Sequence, residues 1–156
     1  MLLCACESSL YHPHQKIYTT PTRINLDYEE ISFKTHDDLE LKGWLIKSTS
    51  KEKKGTILHF HGNAQNRSTH FYQLSWLTAY GFDLIIPDYR GYGDSEGSPN
   101  KKDIYQDSLV FVRDSINLHQ HLKNNQFILW GQSLGGNIAL RAASEFQDKI
   151  NLLILF

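Results

Sequence analysis

The run Ile128-Leu129-Trp130-Gly131-Gln132-Ser133-Leu134-Gly135-Gly136 constrains this chain more than any other stretch. An apolar strand feeds G-x-S-x-G, and a helix-compatible segment from Asn137 to Phe146 follows. That order builds a nucleophile elbow, a serine on a strained strand-to-helix turn with its hydroxyl exposed. Gly131 and Gly135 stand where a Cβ would crowd the turn. The helix start just after Ser133 directs unpaired backbone N–H groups and partial positive charge at any developing oxyanion. A glycine-rich phosphate loop is the competing reading, and the lack of a lysine at the P-loop position argues against it.

A serine of this type takes its partners in chain order, an acid and then a histidine. Beyond Ser133 the only carboxylates are Glu145 and Asp148, and no histidine follows. Residues Ile150 to Phe156 read as a further buried strand. The expectation is therefore a sheet that stops part-way and a chain of 156 residues that is inactive for want of a triad acid and base.

Length and charge permit one ordinary domain with a sizeable core. With 40% hydrophobic and 21% charged residues and a net charge of −1, nothing points to nucleic acid. Lys51-Glu52-Lys53-Lys54 reads as a solvated loop, and no apolar span reaches membrane length. Both cysteines, Cys4 and Cys6, lie at the extreme N-terminus and leave the core without a staple. Leu3-Cys4-Ala5-Cys6 followed by Glu7-Ser8-Ser9 resembles the end of a bacterial lipoprotein signal, with Cys6 as the lipidated residue and the cell envelope as the location. The alternative is a frayed terminus without function on a cytoplasmic protein. Residues 1–21 are thus expected as a tether and 22–156 as the folded domain.

Alternation from Arg23 to Thr35, a turn at Asp37-Asp38 and a second run to Ile46 predict an opening antiparallel hairpin. Gly55–Phe60 and Phe82–Pro87 read as buried strands. Between them a helix capped by Ser68 or Thr69 is expected to run to about Tyr80 and end at Gly81. A second helix is predicted from Lys101 to Leu122, burying Ile104, Leu109, Val112 and Ile116. Apolar strands alternating with helices predict an α/β fold, predominantly parallel, with helices on both faces.

Three stretches then agree in order and separation: His59-Phe60-His61-Gly62-Asn63, Pro87-Asp88-Tyr89-Arg90-Gly91-Tyr92-Gly93-Asp94-Ser95 and Gly131-Gln132-Ser133-Leu134-Gly135-Gly136. Together they resemble the α/β-hydrolase fold family, in the branch whose members carry an H-G-N loop and include depalmitoylases and serine-aminopeptidase-like proteins. The resemblance implies an eight-stranded sheet of which this chain holds roughly the first six strands. It implies Ser133 as nucleophile, with the backbone N–H groups of Leu134 and Asn63 as oxyanion donors. It implies a substrate with an ester, thioester or amide bond, no cofactor and no metal. Asp88, Arg90, Gly91, Gly93 and Ser95 shape the loop beside the pocket in this family, and the acid and base belong to the part of the fold after Phe156.

Other histidines are weighed against these. His59 and His61 share a face at i, i+2, as metal ligands do, but no third ligand is placed beside them; a hydrogen-bonded brace for the oxyanion loop is the better account. His119 and His121 fall near a helix C-terminus and read as solvated surface residues. Asp88 is out of order as a triad acid and has Arg90 as a ready partner. A fragment that only binds, without catalysis, is the alternative function.

Overall fold

The computed structural model describes residues 10–122 and 125–156; Cys4 and Cys6 lie outside the described residues. Its six-stranded sheet runs in the order β1-β2-β4-β3-β5-β6, formed by Tyr28–Lys34, Glu40–Ile46, Gly55–Phe60, Phe82–Pro87, Gln126–Gly131 and Leu152–Leu155 for β1 to β6. β1 and β2 form the antiparallel hairpin expected, with Phe33 opposite Leu41, and β2 is antiparallel to β4. The pairs β4–β3, β3–β5 and β5–β6 are parallel.

Alternate residues of each strand face opposite layers, which is why the sheet needs cover on both sides. On one face Phe33, Leu41, Leu45, Leu58, Phe60 and Leu129 pack under α2 (Lys101–Leu122) and α3 (Leu134–Ala143). On the other, Trp44, Ile46, Ile57, Leu84 and Ile128 pack against Phe71 and Leu74. The expected stripe on α2 is present, with Ile104, Val112 and Ile116 buried and Leu109 half-buried against the core.

Three sequence expectations change. The helix expected from Ser68 to Tyr80 is one α-turn, α1 (Arg67–His70), capped by the side chain of Asn66 accepting from Ser68 N–H. Beyond it the chain tightens into 3-10 turns at Phe71–Gln73 and Ser75–Tyr80. Side chains here bond carbonyls three residues back, Ser75 to Tyr72 at 3.1 Å and Thr78 to Ser75 at 2.7 Å. Such local bonds compete with the α-helical ladder. Likewise α3 stops at Ala143 rather than Phe146, where the Ser144 hydroxyl donates to the Arg141 carbonyl at 2.7 Å. Finally, β1 starts at Tyr28, because Pro21–Ile24 forms a 3-10 turn closed by Asn25 in the left-handed region at φ 58.

The stretch read as a tether is docked in its described part. Tyr11 is buried, and backbone groups of Leu10, His12, His14, Lys16 and Tyr18 bond Asn63, Asn66, Ser68 and Gly93. Alternation and periodicity are blind to such a segment, because its bonds go to groups fifty or more residues away.

Among the described residues β6 pairs only with β5, leaving Leu152 and Leu155 about half exposed on the outer strand. An apolar edge without charge or proline is a template for another strand. The 156-residue chain is expected to associate at tens of micromolar, and Ile154→Lys to reduce that association. Light scattering showing a monodisperse, cooperatively unfolding monomer of the unaltered chain would contradict this.

Candidate active site

β3 and β5 lie side by side while the chain leaves β3 toward β4 on its far side, so their carboxyl ends flank the crevice where open α/β sheets hold ligands. β5 ends at Gly131 and α3 begins at Leu134, leaving only Gln132 and Ser133 to turn the chain. Ser133 sits at φ 51, ψ −114, and its residue is exposed. A non-glycine residue held there costs on the order of 1–3 kcal/mol and persists only where its surroundings fix it. Here Gln132 N–H donates to Phe60 O at 3.0 Å, Ser133 N–H to Phe156 O at 2.8 Å and Gly136 N–H to Ser133 O at 2.9 Å.

Glycines make this turn sterically feasible. A Cβ on Gly135 would overlap the Phe60 carbonyl and lie 2.6 Å from His61 O. One on Gly131 would lie 2.6 Å from Gly135 O and 2.8 Å from the Ala139 Cβ. The helix therefore rests its first turn directly on the end of β3, and the loop His61-Gly62-Asn63 is brought against the elbow.

Asn63, Ser133 and Leu134 line one cavity of about 870 Å³. The Asn63 side chain is spent on structure. Its Oδ1 accepts from Tyr92 Oη at 2.7 Å, His12 N–H at 3.0 Å and Ala64 N–H at 2.9 Å, while Nδ2 donates to Leu10 O at 2.6 Å. Burial pushes the Tyr92 phenol up to about 12, so it stays protonated as a donor. What Asn63 can offer the cavity is its backbone N–H, for which the described residues supply no acceptor. Leu134, first in α3, likewise has no intrahelical acceptor for its N–H.

Behind the cavity lies a buried polar cluster. His61 Nδ1 donates to Gly62 O at 2.8 Å, the loop-bracing role expected of it, and its Nε2 is 3.2 Å from Asp88 Oδ1. Asp88 is paired not with Arg90 but with Arg67, through Nη1 and through a 2.6 Å bond from Arg67 N–H. Arg90 instead binds Asp107 at 2.6 Å, Asp37 at 3.1 Å and Asp103 at 3.1 Å. Chain adjacency suggested the wrong partner, because Asp88 leaves the end of β4 toward α1 while Arg90 turns toward α2.

His59 does not share the bracing role. Both its ring nitrogens are buried without a hydrogen-bond partner, and burial pulls its pKa down to about 3. His119 is not a solvated surface group either, since its Nδ1 is 3.0 Å from Thr56 Oγ1 and its ring lies against Phe127. Thr56 is at the start of β3 whereas Ser133 follows the end of β5, so His119 sits at the opposite end of the sheet. His70 was missed by sequence reasoning. Its Nδ1 is 3.1 Å from Gln132 Oε1 and its Nε2 3.3 Å from Ala64 O, joining the elbow to the loop, and its ring stacks on His61. Burial lowers its pKa. No periodic signal reveals a contact 62 residues apart.

A strained serine at the carboxyl end of a central parallel strand, heading a helix, defines an α/β protein with its candidate site at the sheet's switch point. The chain belongs to the alpha/beta hydrolase fold family, whose sequence pattern matches residues 55–155. It is 34% identical over 142 residues to the protein YfhR of Salmonella typhi, covering 88% of this chain and 47% of that protein. It is also 34% identical over 139 residues to protein bem46 of Schizosaccharomyces pombe, covering 87% of this chain and 46% of that one. The lysophosphatidylserine lipase ABHD12 of Danio rerio is 35% identical over 95 residues, 60% of this chain and 24% of the lipase. The chain thus spans about half the length of the first of these relatives. The esterase Pf2001 of Pyrococcus furiosus superposes with a TM-score of 0.75 at 23% identity, over 91% of this chain and 56% of the esterase.

Two outcomes follow from this geometry. Ser133→Gly should raise stability by about 1 kcal/mol, because glycine occupies positive φ without strain, while Ser133→Ala should not. Urea denaturation of both variants measures the difference. His59, depressed in the folded state, contributes stability that is complete above about 6.5 and is lost as pH falls toward about 3. His59→Leu should flatten the slope of stability against pH between 4 and 6 by up to about 1 kcal/mol per pH unit, read by denaturant titrations at several pH values.

Proposed function

We propose that these residues are the nucleophile-bearing part of a serine hydrolase that opens ester, thioester or amide bonds through an acyl-enzyme on Ser133. The observation that carries the reading is the positive φ of Ser133 at the head of α3, which holds an exposed hydroxyl in one cavity with Asn63 and Leu134. The hydroxyl oxygen bonds to the substrate carbonyl carbon as a general base takes its proton, and the carbonyl oxygen becomes an oxyanion that accepts from the N–H groups of Leu134 and Asn63. Collapse of this intermediate breaks the acyl bond, the alcohol, thiol or amine leaves with a proton, and the acyl group stays on Ser133. Removal of one such donor typically slows the chemical step by about a hundred- to a thousandfold. Family membership and relatives that include a lipase and an esterase support hydrolysis of an acyl bond.

Among the described residues, those lining this cavity include no histidine and no Asp or Glu. Without a base, a serine hydroxyl is a weak nucleophile at neutral pH. The 156-residue chain by itself then has oxyanion stabilisation and binding, an effect on the order of 10³–10⁴ over water and far below that of a complete triad. That observation also favours the second reading, a chain that binds acyl compounds without turning them over.

Fluorophosphonate labelling tests the assignment. Joined to the second half of a relative, these residues should label rapidly, and Ser133→Ala should abolish labelling with the fold intact; undiminished labelling of that variant overturns Ser133 as nucleophile. Alone, the chain should show no robust turnover of p-nitrophenyl acetate, and turnover lost on Ser133→Ala would point to a base within it.

A further inference from the structure

We propose that the cavity beside Ser133 takes an amphiphile bearing an anionic group, phosphate or carboxylate, near its acyl bond, with Lys101 and Arg141 as the groups that hold the anion. The proposal rests on the hydrolase reading for which bond is broken, though not for what is bound. The cavity wall is divided by chemistry. Leu10, Ile104, Leu134 and Ile138 give it an apolar side, and among the described residues lining it the only Lys, Arg, Asp or Glu side chains are Lys101 and Arg141. A smaller depression beside it is lined by the same two cations with Lys102 and Tyr105, so the positive rim continues outward.

Among the described residues no carboxylate forms an ion pair with Lys101, Lys102 or Arg141, whereas the buried Arg67 and Arg90 each pair with at least two. Arg141 is held in place by an uncharged contact, its guanidinium 4.2 Å from the centre of the Tyr105 ring. The acid one turn further along, Glu145, accepts from the Tyr105 hydroxyl at 3.2 Å. Lys101 and Lys102 also occupy the first turn of a 22-residue helix, where the helix dipole disfavours cations. In a chain of net charge −1, this local excess of positive charge is not a reflection of composition.

A volume of about 870 Å³ falls in the range of sites for small organic ligands. An alkyl chain gains from covering the apolar side, and an anion at the rim gains charge-assisted hydrogen bonds. A neutral ester of the same length gains only the first. The arrangement therefore selects among acyl compounds by the charge beside the bond.

Binding to the 156-residue chain tests this without catalysis. The probes are decyl phosphate, decanoate and the neutral decyl glucoside, each below its micellar concentration, measured by displacement of a fluorescent fatty-acid analogue. At least one anionic probe should bind about tenfold more tightly than the glucoside at low salt, the effect of one charge-assisted hydrogen bond. The preference should shrink in 0.5 M salt. Phosphate favoured over carboxylate would indicate a phosphate headgroup, and the reverse a free acid. Lys101→Gln with Arg141→Gln should remove the preference while leaving glucoside affinity unchanged, and Lys101→Arg with Arg141→Lys should keep it. Equal affinity for charged and neutral probes, or a preference that survives the glutamine pair or high salt, overturns the proposal. Circular dichroism reports the fold of each variant, and the salt series on the unaltered chain decides the matter should the glutamine pair fail to fold. Fluorophosphonate labelling reports on Ser133 and probe displacement on Lys101 and Arg141, so loss of the nucleophile assignment and loss of the anion site are separate results.

Discussion

The rest of the site depends on how closely α3 approaches the end of β3. Gly135 lies so near the Phe60 carbonyl that no side chain fits between them. The same carbonyl accepts from Gln132 N–H, which ties the elbow to the strand before the helix begins. Two consequences follow at once. Ser133 is forced into positive φ, because two residues must join strand to helix over that distance. The loop leaving β3 is brought over the helix start, so that Asn63 and Leu134 share a cavity. Withdrawing the helix by the width of a methyl group would relax the serine and part the two N–H groups together.

Buried ion pairs fix the loops that this contact brings together. Arg67 is enclosed between Asp88 and Asp94, with its guanidinium 4.9 Å from the centre of the Trp44 ring. Arg90 joins the first hairpin to α2 through Asp37 and Asp107. Asp88 and Asp107 are the fully buried partners, and removing one partner of a buried pair typically costs about 3–5 kcal/mol. The two arginines divide the work: one anchors the loop behind His61, the other anchors the glycine-rich loop after β4. This second loop includes Gly93, where a Cβ would overlap the Asp88 carboxylate, at φ 55. The Asp88 carboxylate and the Arg67 guanidinium thus occupy space that a larger residue would need.

Much of this architecture was legible in the sequence, and the boundary of legibility is physical. β3, β4, β5 and α2 were readable because burial imposes a period on residues that are neighbours in the chain. The elbow was readable because its glycines are demanded by contacts local to the turn. The family resemblance implied Asn63 and Leu134 as donors, and the two line one cavity with Ser133. What could not be read depends on pairings between distant residues. Asp88 selects Arg67 rather than Arg90 only because β4 and α1 are adjacent in space. Lys101 and Arg141 meet at one cavity only because α2 and α3 pack together. The 3-10 turns after α1 were hidden for the opposite reason. Their hydroxyl-to-carbonyl bonds are local, but they leave the spacing of Phe71, Leu74 and Leu77 looking helical.

The docked N-terminal stretch adds a last step to this account. A loop of the His-Gly-Asn kind has few bonds of its own, and Ala64 and Gln65 both adopt positive φ within it, at 54 and 66. It is held instead from outside. Leu10 and His12 engage the Asn63 side chain from one side, and Tyr92 engages it from another. His70 takes the carbonyl of Ala64 and reaches Gln132. With its side chain held on several sides, Asn63 has little freedom to rotate, and the direction of its backbone N–H is set by residues outside the loop. Preorganised donors of this kind act without reorganising when charge develops. The order of the His61-Gly62-Asn63 loop is therefore a property of residues 10–14 as well as of the loop itself, and sequence patterns within the domain carry no trace of it.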